Sequence, residues 1–72
     1  MIIFSERLKE LRTKHKISQT TLAEFLHVSQ RQISYYEKAQ DTPSLASLIA
    51  IADYFDVSID YLVGRSNDPT KK

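Results

Sequence analysis

The fold turns on ISQTTLAEFLHVSQRQISYYE, residues 17–37. Two serines punctuate this stretch. Leu22, Ala23 and Leu26 follow Ser18 at helical spacing, and Ile33 and Tyr36 follow Ser29 in the same way. A serine ahead of such a run caps a helix by accepting from first-turn N–H groups. The spacing therefore predicts one helix over 19–26 and a second from Gln30 to about Lys38. His27 and Val28 break the pattern between them. A small residue is needed where two helices joined so tightly cross, and Ala23 supplies it. Val28 seals the turn, and Ile33 anchors the second helix to the core. Two short helices across a turn of this length form a helix-turn-helix pattern.

The same signals recur on either side. Phe4, Leu8 and Leu11 stand at i, i+4 and i+7, which predicts a first helix from about Ser5 to Lys14 with Ser5 as its cap. Gln40 to Pro43 reads as a loop, because the residue before proline avoids the helical conformation. Ser44 then starts a fourth helix with an expected apolar stripe of Leu45, Leu48, Ile49, Ala52 and Phe55. Ser58 caps a short fifth helix over 59–63, and Gly64 is placed to end it in a left-handed conformation. The expected organisation is an all-α domain over 1–64 followed by a polar, flexible tail over 65–72.

Composition narrows the function. Seventy-two residues make one domain, of a size that buries only about 60% of the surface its unfolded chain exposes. There is no cysteine, which excludes disulfides and thiolate metal sites and fits a reducing cytosol. The two histidines, His15 and His27, are too few for a metal centre and read as surface residues. No serine has a histidine and carboxylate recognisably arranged around it, so no catalytic constellation is visible. Asp53, Asp56 and Asp60 read as a solvated face or as first-turn acids. The apolar start, Met1 to Phe4, is too short for a secretory signal. The run from Leu45 to Phe55 is about half the length that spans a bilayer. A soluble, cytoplasmic protein with no membrane, cofactor or small-molecule partner is expected. Net charge is only +1, yet residues 1–43 carry seven basic and five acidic side chains while 44–72 carry three and four.

The third helix has two contrasting sides. At about 100° per residue, Gln30, Arg31, Ser34 and Tyr35 share one face, opposite Ile33 and Tyr36. Side chains of this kind near a helix N-terminus can read base edges in a major groove. Glutamine pairs in bidentate fashion with adenine and arginine with guanine, while tyrosine can meet a thymine methyl or a phosphate. Ser34 is small enough to allow close approach. Ser29, Lys38 and Gln40 are candidates for phosphate contacts that fix register. One such domain covers few base pairs, so a homodimer on two half-sites is expected. Ile59, Tyr61, Leu62 and Val63 are the candidate interface.

Leu11-Arg12, Ile17-Ser18-Gln19, Leu22-Ala23, Val28-Ser29, Ile33 to Glu37, Pro43, Val57-Ser58 and Tyr61 to Gly64 together resemble the Cro/repressor-type (XRE-like) helix-turn-helix family of phage and bacterial regulators. The resemblance covers Leu8 to Gly64. It implies a five-helix, lambda-repressor-like DNA-binding domain that represses transcription from a pseudo-palindromic operator. It also implies base reading by Gln30, Arg31 and Tyr35, a phosphate contact from Gln19, and a buried ion pair between Arg12 and Glu37. Two positions depart from the family pattern. His27 and Ala39 stand where the family usually has glycine, and a side chain in a left-handed turn costs about 1 kcal/mol. The competing expectation is a protein-interaction module of the antitoxin type. Gln30, Arg31, Ser34 and Tyr35 favour DNA, since an apolar stripe on that face would have favoured protein.

Overall fold

A computed structural model describes residues 2–71; Met1 and Lys72, the ends of the expected domain and tail, lie outside the described residues. Five α-helices follow one another: α1 (Ile2–Lys14), α2 (Gln19–Leu26), α3 (Gln30–Glu37), α4 (Leu45–Phe55) and α5 (Ile59–Val63). Four helix starts are capped as their serines predict. The hydroxyl oxygens of Ser18, Ser29, Ser44 and Ser58 accept from the N–H groups of Thr21, Gln32, Ser47 and Tyr61 at 3.0–3.1 Å.

Ser5 does not cap. It lies inside α1, buried, and its hydroxyl donates to the Tyr36 carbonyl near the C-terminal end of α3. The last carbonyls of a helix lack intrahelical partners, and Ser5 supplies one. Extending α1 back to Ile2 brings Phe4 fully inside, edge-on to the Tyr36 ring with centroids 5.8 Å apart.

The core is built from Phe4, Leu8 and Leu11 of α1, Leu22 and Ala23 of α2, Ile33 and Tyr36 of α3, Ile51, Ala52 and Phe55 of α4, Val57, and Leu62 of α5. The expected stripe of α4 is turned about its axis. Leu45 and Ile49 are exposed, and Ile51 is wholly buried instead. The buried face is centred among Leu48, Ile51, Ala52 and Phe55, which puts Ile49 about 110° away from its middle. Because α4 is apolar on nearly every side, periodicity alone does not fix its phase.

Turn chemistry fits the two helices together. His27 ends α2 with φ 58° and ψ 40°, a left-handed conformation, while Val28 N–H returns to the Ala23 carbonyl at 3.0 Å. Ala39 is also left-handed (φ 57°), and Gln40 N–H returns to the Tyr35 carbonyl at 2.9 Å. Both positions where glycine was expected therefore do require a positive φ. Gly64 closes α5 at φ 88°. The radius of gyration, 10.9 Å, equals the roughly 11 Å of a compact chain this long. Among the described residues, no helix is long and apolar enough to cross a membrane.

Candidate nucleic-acid interface

Burial of Ile33 and Tyr36 fixes how α3 is rotated. Gln30 and Arg31 are consequently exposed, Ser34 is half-buried, and Tyr35 retains 39% exposure although it is a large aromatic. All four stand on the side of α3 that faces away from the core. The Ser29 hydroxyl is engaged as a cap, so its contribution to a ligand would pass through the helix tip rather than a free side chain. Lys38 and Gln40 are exposed at the opposite end of α3. The Gln40 amide is occupied by Tyr35, which leaves its side chain as the available group.

A polar chain ties this face to the core. The Arg12 guanidinium meets Glu37 in a bidentate pair, Nε to Oε2 at 2.6 Å and Nη2 to Oε1 at 3.1 Å. A third donor, Nη1, reaches the Ile17 carbonyl at 3.0 Å. The side chains are 17% and 5% exposed, so the pair works in a poorly solvated setting, and the hydrogen bond to Glu37 raises the Arg12 pKa. Glu37 Oε1 also accepts from Gln19 Nε2 at 3.1 Å. The Gln19 Oε1 in turn accepts from Gln30 Nε2. Helix α1 thereby orients, through Glu37 and Gln19, the amide of a candidate base-reading residue.

That linkage was not legible from spacing. Gln19 opens α2, where the first amides point out of the helix tip and attract anions. Its side chain does something else, because both of its polar atoms are held within the protein. A second unforeseen contact joins Gln32 Nε2 to Asp41 Oδ2 at 2.7 Å, while Asp41 Oδ1 accepts from Thr42 N–H at 2.8 Å. These bonds, the one from Gln32 first, lower the Asp41 pKa. They fasten the α3–α4 loop to the flank of the candidate recognition face.

The expected partner surface needs one correction. Leu62 is fully buried because it lies on the inward side of α5, and it has no surface to offer. Ile59, Tyr61 and Val63 are half-buried. Among the described residues, no group of three or more His, Cys, Asp or Glu side chains is arranged to hold a metal.

The profile described as helix-turn-helix matches residues 8–62. The chain belongs to the helix-turn-helix family. Its fold is that of a DNA-binding domain of transcriptional regulators, not of an enzyme. It is 34% identical over 70 residues to the uncharacterized HTH-type transcriptional regulator YobD of Bacillus subtilis, covering 97% of this chain and 62% of YobD. It is 42% identical over 60 residues to the HTH-type transcriptional activator BcrR of Enterococcus faecalis, covering 83% of this chain and 29% of BcrR. This chain therefore spans less than two thirds of either regulator. The crystal structure of the P22 c2 repressor in complex with a synthetic operator superposes with a TM-score of 0.79 at 32% identity, covering 86% of this chain and 94% of that one.

Proposed function

We propose that this protein binds double-stranded DNA sequence-specifically and represses transcription as a homodimer on a pseudo-palindromic operator, with α3 in the major groove. The observation that carries the proposal is the two-sided α3, buried through Ile33 and Tyr36 and presenting Gln30, Arg31, Ser34 and Tyr35 outward. Gln30, held by Gln19, is suited to adenine, and Arg31 to guanine. The α2 tip at Gln19, with Ser29, Lys38 and Gln40, takes phosphates. Ile59, Tyr61 and Val63 contribute to the surface between copies.

The relative solved with a synthetic operator supports DNA as the partner. Repression by occupying the site is the reading favoured by the likeness to the P22 c2 repressor, at a TM-score of 0.79. The groups assigned to DNA lie within residues 1–64. No cofactor or small-molecule ligand is required. The bacterial relatives and the phage repressor support a bacterial cytoplasmic location.

Binding of variants to one specific duplex tests the assignment of roles. Gln30→Ala is expected to cost about 1–3 kcal/mol and to relax preference at one base pair. Lys38→Ala should weaken all duplexes alike and lower the salt slope by about one. If Gln30→Ala instead weakens every sequence equally, α3 does not read bases through that residue.

A further inference from the structure

The α5 face offered to a second copy is partly covered by the chain's own C-terminal segment. Beyond Gly64, the amides of Arg65 and Ser66 return to the Asp60 carbonyl at 2.8 and 3.2 Å and turn the chain back. Arg7 fastens the turn. Its guanidinium sits 4.1 Å from the centroid of the Tyr61 ring. It donates to the carbonyls of Tyr61 and Ser66, the latter at 2.6 Å, and to Asn67 Oδ1 at 2.7 Å. Farther along, Ser58 N–H at the mouth of α5 donates to the Pro69 carbonyl at 3.0 Å. Lys71 Nζ reaches Asp53 at 2.7 Å and Asp56 at 4.0 Å, at the end of α4. The segment thus crosses from α5 to α4 along a groove that includes Ile49 and Ile59.

We propose that Ser66–Lys71 is an intramolecular strap that competes with a second copy of this chain for the α4–α5 face, so that pairing requires the strap to lift. This inference rests on the dimeric reading above. Beyond the partly buried Arg7 bond to Ser66, the fastenings are polar and lie near the surface, and Asn67 to Lys71 are all exposed. An exposed ion pair such as Lys71–Asp53 shifts an equilibrium by no more than about fivefold. Ile49 is 43% exposed beside the strap, and apolar surface of that kind gains from burial against a partner. A weak polar cover over an apolar seat is what an exchangeable strap needs. Salt screens the Lys71 pair but not apolar contact. Self-association should therefore strengthen as salt loosens the strap, opposite to the salt response of phosphate contacts.

The test uses the full chain without DNA. Sedimentation equilibrium reads self-association, and hydrogen exchange reads the Ser58 amide. The variants are Lys71→Glu, the swap Asp53→Lys with Lys71→Glu, and Lys9→Glu as a charge control on α1. Lys71→Glu is expected to expose the Ser58 amide and to tighten self-association about threefold. The swap should return both readouts toward the parent, and Lys9→Glu should leave both unchanged. Lys71→Glu chains that associate no more tightly than the parent, including no association in either, would overturn the strap. So would a Ser58 amide already open in the parent. Failure of the DNA reading shows elsewhere, as absence of any preferred duplex.

Discussion

His27 and Ala39 each hold a left-handed backbone with a side chain attached, at φ 58° and 57°. Each position forgoes about 1 kcal/mol relative to glycine. His27→Gly and Ala39→Gly are therefore expected to raise the urea midpoint, each adding about 0.5–1 kcal/mol. A lower midpoint in either would mean that its side chain supports the turn. Gly64 shows the reverse constraint. At φ 88°, a Cβ there would come within 2.7 Å of Ile3 Cγ2, so Gly64→Ala should cost about 1–3 kcal/mol in the same assay. Glu37 is governed by burial. Glu37→Ala leaves the Arg12 guanidinium without its counter-charge and is expected to cost about 2–4 kcal/mol. Arg12→Leu combined with Glu37→Leu should cost less, because no charge is left unpaired. Equal losses in the single and double variants would contradict a desolvated pair.

At the scale of elements, the helices whose apolar and polar residues separate cleanly were legible from sequence. For α2 and α3, both the serine cap and the inward residues coincide with the structure. For α4, only the cap and extent were legible, since LASLIAIA leaves several apolar phases open and packing selects among them. For α1, serine chemistry misled the reading, because a hydroxyl that can cap a helix can equally satisfy the end of another one. Loops depend on contacts that no periodicity encodes, and the bond from Gln32 to Asp41 is one such contact. It makes a measurable prediction. The Asp41 carboxyl should titrate below the ordinary aspartate value of about 3.9. Its stabilising contribution is full above that value and is lost as pH falls through the lower folded pKa. Gln32→Ala should move the Asp41 midpoint, read by NMR, upward toward the ordinary value. An unmoved midpoint would show that Gln32 does not hold the loop.

At the scale of the whole molecule, the candidate recognition face was legible because it is local to one helix. The features linking that face to the rest were not, because they join residues far apart in sequence. Arg12 to Glu37 entered only through family resemblance, and neither the extension through Gln19 to Gln30 nor the Arg7 clamp on Ser66 and Asn67 was foreseen. Long flexible side chains can reach many partners, and only the assembled fold selects one. The expected placement of Leu62 at a partner surface failed for a related reason. A short five-residue helix offers too little pattern to separate inward from outward apolar residues. The central claim is that two copies of this domain read a symmetric site, and selection from a random duplex pool with the full chain at moderate salt tests it most directly. Recovery of two inverted half-sites with centres about 10–10.5 base pairs apart is predicted. No enrichment, or enrichment of a lone half-site, would contradict it.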